Sequence, residues 1–278
     1  MTGMLTSPKL IDPLQIALGM HELCLVEAVV QTAESTRRMS DAKQAIRERV
    51  WDLLQAAGAA RFPGARGRIP NFHGAEAAAD RLGGLEEWRR AGVLKANPDA
   101  PQLPVRARAL ADSKLLYMAV PRLREAKPFI LLDPSSIRRS PRAAASIRGA
   151  GQHGRPVSIS RMRRVDLVVC GSVAVNPLGA RIGKGGGFSD LEFALLAEAG
   201  VLDERTVIAT TVHPLQILDE RLPETGHDFR VDLIVTPGEV IRAPRRRRPP
   251  GIIWKDLDDA KIAEIPVLAR LHSMRPGG

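Results

Sequence analysis

A chain of 278 residues with 44% hydrophobic content can bury the core of one large domain or two modest ones. Two cysteines, Cys24 and Cys170, exclude a disulfide framework and point to a reducing cytoplasm; with charges breaking the best apolar run and no leader pattern at the start, neither a membrane span nor secretion is expected. The formal net charge of +10 fits either the solvated surface of an arginine-rich chain or a polyanionic ligand such as a nucleotide, a polyglutamylated cofactor or a nucleic acid, while 4% aromatic content argues against single-strand reading by base stacking.

Residues 1–38 carry no clean periodicity, and Met39 followed by SDAKQAIRERV reads as a natural start. They are expected to be a poorly ordered extension, with at most a loosely packed helix over 13–34. From Asp41, the residues Ala42, Ala45, Ile46, Val50, Leu53, Leu54 and Ala57 recur at helical spacing. Ser40 or Asp41 is the expected N-cap and Gly58 the stop. Lys43 and Arg47 lie four apart on the other face, near the expected helix start, where they oppose each other and the dipole. They form either an ordinary solvated face or the two sides of an anion site.

Residues 61–74 read as an irregular loop, 75–91 as one or two short helices, and 97–104 as a punctuated linker. Trp51 and Trp88 fit helix faces. The run 114–120, closed by Pro121, reads as a buried strand, and the basic, Ala/Ser/Gly-rich stretch 138–156 as an exposed connection. Three further valine-rich runs, 165–175, 206–212 and 231–236, are separated by helices or long loops. Together they predict an α/β fold with a parallel sheet covered on both faces. Cys170 falls in the core of that sheet, and His213 at a strand end is read as loop structure. The domain is expected to span 39–242. A basic tail over 243–278 opens with PRRRRPP and continues into a short helix over 256–263. Its arginine run is either solvated or an electrostatic patch for nucleic acid.

Residues 179–192 read GARIGKGGGFSDLE. Ser189 and Glu192 have capping-box spacing, so a helix carrying Leu191, Phe193, Ala194, Leu195 and Ala197 is predicted to follow the glycines and end at Gly200. A glycine-rich loop entering a helix presents free backbone N–H groups and the positive dipole end, a ready phosphate site, and Arg181 and Lys184 add full charges. Neither GxxxxGK[ST] nor GxGxxG is present, so a merely flexible loop is the alternative. The expected position at the carboxyl end of a parallel strand favours a ligand.

Residues 181–190, RIGKGGGFSD, resemble the R-L-G-x-G-x-G-Y-Y-D signature of the 5-formyltetrahydrofolate cyclo-ligase (methenyltetrahydrofolate synthetase) family. Lys43 and Arg47 match the basic pair of its first helix, and 114–122 resembles its strand ending in Pro-Arg. Gln216, Pro223 and HDFRVDLIVT at 227–236 resemble its closing elements. The likeness runs from about residue 40 to 242. The stretches IPNFHGA, VRARAL and RIGKGGGFSDLE are most similar to the divergent branch called methenyltetrahydrofolate synthetase domain-containing proteins.

The resemblance implies a three-layer, mostly parallel α/β fold of NagB/RpiA/CoA-transferase type. It also implies an ATP- and Mg²⁺-dependent ring closure on a folate-like small molecule. In that reaction the formyl oxygen of 5-formyltetrahydrofolate is phosphorylated, the neighbouring ring nitrogen attacks, and phosphate leaves to give 5,10-methenyltetrahydrofolate. By the same resemblance Lys43, Arg47, Arg181, Gly183, Gly185, Gly186, Gly187 and Ser189 contact ATP. Lys184, Gly185, Gly186, Gly187 and Phe188 contact substrate, Lys184 and Arg181 act in catalysis, and Asp190 and Asp228 hold Mg²⁺. His227 is read as structural rather than as a base. Three departures stand out: Ser189 replaces the second tyrosine, Asn176 stands where many members carry aspartate, and the family's substrate-binding glutamate has only Gln102 near its place. The ATP half of the site is thus kept and the folate half altered. That leaves open a different ATP-dependent substrate, or a non-catalytic nucleotide- or RNA-binding role. A cytoplasmic monomer or weak dimer is expected.

Overall fold

The computed structural model describes residues 13–246 and 248–275, with side chains from residue 34 onward; expectations for 1–12 lie outside the described residues. The chain divides into two compact units, residues 1–42 and 43–278. In the first, the described residues are helical throughout, the opening part of α1 (Pro13–Ala56), and are largely exposed from Glu34 on. Ser40 and Asp41 therefore cap nothing. Residues 31–45 contain neither Gly nor Pro, and a serine or aspartate inside a helix costs only some tenths of a kcal/mol. Lys43 and Arg47 accordingly sit mid-helix, clear of the positive dipole end. Gly58, at φ +61°, ends the helix as its sequence predicts. Among the described residues, no helix is long and apolar enough to cross a membrane.

The second unit continues through α2 (Ala75–Gly83), α3 (Glu86–Arg90), β1 (Val93–Ala96), α4 (Leu103–Ala111), β2 (Leu115–Ala119) and β3 (Phe129–Leu132). After these come α5 (Pro141–Ala144), α6 (Ile147–His153), β4 (Arg155–Val157), β5 (Leu167–Cys170), β6 (Ala174–Val175), β7 (Arg181–Ile182) and α7 (Phe188–Glu198). The last elements are β8 (Val207–Thr211), β9 (Leu233–Val235), β10 (Val240–Arg242), α8 (Asp259–Glu264) and α9 (Pro266–Ser273). Eight strands form one sheet in the order β10-β9-β8-β5-β1-β2-β3-β4. The strands from β9 to β2 run parallel, and β10, β3 and β4 add antiparallel edges.

Both faces are covered. On one, Tyr117, Val168, Cys170 and Ile208 join Leu191 and Leu195 of α7 and Leu268 of α9 in a single core. On the other, Leu94, Met118, Val169 and Ala209 join Leu82 of α2, Val105 of α4 and Ala150 of α6. This is the three-layer α/β arrangement, and it explains why the central strands read as unbroken apolar runs.

Several expected elements differ. The run 165–175 is two strands in two sheets, because the chain leaves the main sheet at Gly171, where a Cβ would stand 2.8 Å from Ile69. The stretch 138–156 is not an exposed connection. It folds as α5 and α6, whose Ala144, Ala145 and Ala150 are buried, and its small residues let the turns approach: a Cβ on Gly149 would meet the Ala143 carbonyl at 1.9 Å. The helix expected over 256–263 is α8, capped by Asp258, and α9 follows from Pro266. Strand β1, at the centre of the sheet, has no counterpart among the predicted runs because Lys95 interrupts it. That lysine is buried, donates to Asn97 Oδ1 at 2.9 Å and pairs with Glu192 of α7.

The Lys95–Glu192 pair ties the central strand to the helix that follows the glycines. Removing one partner of a buried pair strands the other charge. Lys95→Ala should lower stability in chemical denaturation by about 3–5 kcal/mol, and Lys95→Met with Glu192→Leu should recover most of that loss. Equal losses in the single and double variants would show that the pair is not what holds α7.

Candidate functional site

The chain passes from β1 to β2 on one side and returns as β5 on the other, so strand order reverses between β1 and β5. Ligands of open α/β sheets bind outside the carboxyl ends at such a point. Here those ends carry Asn97 and Gly171. Asn97 bonds Val169 through its backbone and reaches Ser189 Oγ with its amide at 3.3 Å. The buried Arg106 donates to the carbonyls of Asn97, Asp99 and Ala145 and so pins the loop after β1. Burial, only partly opposed by Asp99, brings the Arg106 pKa down to about 10, still charged at neutral pH. Asp99 in turn holds Lys184 Nζ at 3.0 Å.

The glycine loop approaches from a hairpin, not directly from the parallel strand. β6 and β7 pair antiparallel, and at their turn Gly179 has φ +84° with a would-be Cβ 2.3 Å from the Val231 carbonyl, so only glycine fits. The hairpin drives Arg181 inward, where it is 3% exposed. Its Nη2 bonds Asp190 Oδ1 at 2.6 Å and its guanidinium lies 4.0 Å from the Phe229 ring centroid. Its Nε and Nη1 have no hydrogen-bond partner. Burial alone would lower the Arg181 pKa, but Asp190, aided by Asp228, holds it above the ordinary arginine value.

The expected capping box is absent. α7 begins at Phe188 with Gly187 as its N-cap at φ +67°, and no side chain caps it. Glu192 is claimed by the buried Lys95, and Ser189 by Asn97. The first backbone N–H groups of α7 are thereby left without a side-chain cap.

Two cations from α1 reach this site, Arg47 at the loop itself and Lys43 at Asp228. Arg47 donates through Nε to the Gly183 carbonyl at 2.7 Å, and a Cβ on Gly185, itself at φ +109°, would stand 3.5 Å from the Arg47 Cζ. Burial lowers the Arg47 pKa, with Asp228 opposing. Lys43 Nζ donates to Asp228 Oδ2 at 2.5 Å, and the same oxygen accepts from the Thr225 amide and hydroxyl at 2.6 and 2.8 Å. Lys43, Arg47, Arg181, Asp190 and Asp228 are therefore gathered around the head of the loop. Lys184, Gly185, Gly186 and Gly187 are exposed on its tip, and Gly183, Phe188 and Ser189 are half-buried.

Sequence reasoning missed Lys95, Asn97, Asp99 and Arg106, and also Lys261, whose ammonium lies 3.9 Å from the Phe188 ring centroid. Only Lys95 left a signal, as a lone cation inside an apolar tetrad. Gln102 is fully buried, with Nε2 3.4 Å from Thr211 Oγ1 and Oε1 unpartnered. His227 bonds Thr225 and lies 3.6 Å from Asp256, and His213 caps the turn at Pro214–Gln216. Among the described residues, no group of three His, Cys, Asp or Glu side chains converges. Asp190 Oδ2 and Asp228 Oδ1 accept no hydrogen bond there, so each carboxylate keeps one oxygen available.

Burial would raise the Asp228 pKa, but Lys43 and Thr225 more than offset it and hold it below the usual aspartate range. A depressed folded value means the contribution to stability is complete above the unfolded pKa of about 4 and fades as pH falls through the folded one. The melting temperature should drop as pH is taken from about 5 to 3, and Asp228→Asn should flatten that part of the profile. An identical profile in the variant would clear Asp228 of any role in it.

The profile of the 5-formyltetrahydrofolate cyclo-ligase family matches residues 39–237. Methenyltetrahydrofolate synthase domain-containing proteins of Mus musculus, Bos taurus and Homo sapiens are 40%, 38% and 36% identical over 236, 241 and 242 residues. The matches take in 83%, 84% and 85% of this chain, which spans 63% of the length of each relative. The solved 5,10-methenyltetrahydrofolate synthetase of Aquifex aeolicus aligns with 75% of this chain and 94% of its own at 18% identity, with a TM-score of 0.47, too loose a likeness to carry weight. On the profile match and the curated relatives, the chain belongs to the 5-formyltetrahydrofolate cyclo-ligase family.

Proposed function

We propose that the chain is an ATP- and Mg²⁺-dependent cyclo-ligase that converts 5-formyltetrahydrofolate, or a related formylated compound, to its methenyl product through a phosphorylated formyl group. One observation carries this reading: the buried Arg181 guanidinium has two nitrogens without partners at the head of the glycine loop. An unmade hydrogen bond of a buried group costs about 1–3 kcal/mol, more when charged, so such an arrangement calls for an anion. Phosphate oxygens are the natural acceptors, because charge-assisted bonds to guanidinium are short and strong.

When bound, ATP supplies the phosphoryl group that turns the formyl oxygen into a leaving group, and Mg²⁺ neutralises the phosphate oxygens. The chain's own residues do the positioning that phosphoryl transfer needs. Arg181, Arg47 and Lys43 neutralise the phosphates, and the backbone N–H groups of Gly185, Gly186, Gly187 and Ser189 hold them at the start of α7. Lys184, tethered to Asp99 but exposed, reaches the charge that develops on the formyl oxygen, while Phe188 packs against the substrate ring. Asp190 and Asp228 offer their free oxygens to Mg²⁺, which takes one or two carboxylates and otherwise phosphates and water. The neighbouring nitrogen of the substrate then attacks the formyl carbon and gives up its proton to solvent, and the C–O bond breaks as phosphate leaves.

The lack of a clear equivalent of the family's substrate-binding glutamate favours a related compound over 5-formyltetrahydrofolate itself, since Gln102, near its place, is fully buried. A neutral amide also gives no counter-charge to a cationic group.

Incubation with ATP, Mg²⁺ and 5-formyltetrahydrofolate, followed by absorbance of the methenyl product, tests the proposal. Arg181→Met should lower kcat/KM by about 10²–10³-fold, as removal of a transition-state charge donor does. Lys184→Ala should lower kcat with nucleotide affinity kept. Nucleotide binding without product would point to the related compound. Absence of nucleotide binding in the wild-type chain would overturn the reading.

A further inference from the structure

The arginine run near the C-terminus is the obvious basic feature, but the structure consumes much of it. Arg248 bonds Asp232 at 2.7 Å and the Asp203 carbonyl at 3.0 Å, and Arg245 reaches the Glu204 carbonyl at 3.2 Å. The chain's positive charge is concentrated elsewhere. Residues 121–164 hold eleven arginines and lysines against two acids, Glu125 and Asp133, a net +9 within a chain of net +10.

This segment forms one lateral edge of the sheet. It contains β3 and the outermost strand β4, with α5 and α6 beside them. The register Phe129↔Val157 brings the loop with Arg122, Arg124 and Lys127 to the same end as the loop with Arg161 and Arg163. The pairing Leu131↔Arg155 brings the turn with Arg138 and Arg139 to the opposite end, beside the exit of α6. All eleven cations are exposed. Two of them are engaged: Arg142 lies 3.7 Å from Glu76, and Arg164 pairs with Asp166 and Asp203. Among the described residues, the remaining nine make no ion pair. Unpaired like charges along a single edge repel one another, a repulsion that an external polyanion would relieve.

We propose that this edge binds the sugar–phosphate backbone of a nucleic-acid duplex, without sequence preference. Three features select that partner. The cations cluster at both ends of the strand pair, with Arg155 at one of them and about 13 Å of strand between, a separation that successive phosphates of a duplex backbone can span. The only aromatic in the segment, Phe129, is fully buried, so the edge offers no stacking platform for unpaired bases. Ile147, 54% exposed, is the sole large exposed hydrophobic of the segment, too little to anchor a membrane surface.

Fluorescence anisotropy with random-sequence RNA and DNA duplexes over a salt series tests this on the full chain. With five to seven phosphates contacted, log K should fall against log[salt] with a slope of about −4 to −6. Arg138→Glu with Arg139→Glu and Arg148→Glu should weaken binding at least tenfold. The first two lie at the end of β3 away from the glycine loop, so nucleotide binding should be unchanged and report an intact fold. Should the charge reversals fail to fold, Arg138→Gln with Arg139→Gln should give a smaller loss in the same direction. Arg245→Glu with Arg246→Glu, outside the edge, should retain affinity within about twofold. The proposal is overturned by absence of duplex binding at low salt, by a flat salt dependence, by edge variants that bind like wild type, or by stronger binding to anionic vesicles or an acidic peptide.

Discussion

The site depends on one buried ion pair that is only half satisfied. Arg181 is held on one side by Asp190 and rests on the ring of Phe229, yet two of its nitrogens face no acceptor. Asp190 belongs to the first turn of α7, so the same bond that fixes the guanidinium also fixes the start of the helix relative to the hairpin. Everything else around the loop supports that placement: Arg47 closes on the Gly183 carbonyl, and Lys43 with Thr225 orders Asp228. Cations outnumber carboxylates at the head of the loop, an imbalance that a polyphosphate would correct.

The sheet reaches this arrangement by placing polar groups where its order reverses. Lys95 is an unusual residue for the middle of a five-strand parallel array, and its cost is met by Glu192 and Asn97 together. Asn97 passes that order on to Ser189, and Arg106 fixes the backbone from Asn97 to Asp99. The glycine loop is thus mobile in composition but anchored at both ends, by the hairpin before it and by the Lys95–Glu192 contact after it.

Much of this was legible in the sequence, for physical reasons. Four of the five parallel strands announce themselves because both faces are buried, and the glycine loop does so because its glycines cluster just ahead of a helical pattern. Lys43 and Arg47 are recognisable by their four-residue spacing; Arg47 meets the loop at Gly183, and Lys43 reaches Asp228. What stayed hidden depends on partners distant in the chain. Lys95 disguised β1, because a buried lysine reads as a strand breaker until Glu192, about a hundred residues on, is placed beside it. The long α1 was masked by good capping residues, Ser40 and Asp41, which do not oblige a helix to start. α5 and α6 were hidden by small residues that look like loop composition but serve close packing. The arginine run near the C-terminus drew attention that the lateral edge of the sheet deserves more, since pairing cannot be read from composition.

The two buried, unpartnered donors of Arg181 are proposed to receive a nucleotide's phosphates, which an experimental structure with Mg²⁺ and a non-hydrolysable ATP analogue would show. Expected are β- or γ-phosphate oxygens about 3 Å from Arg181 Nε and Nη1, with Arg47 and the glycine loop enclosing the same phosphates. An analogue bound with its phosphates away from Arg181, leaving those nitrogens still unpartnered, would contradict it.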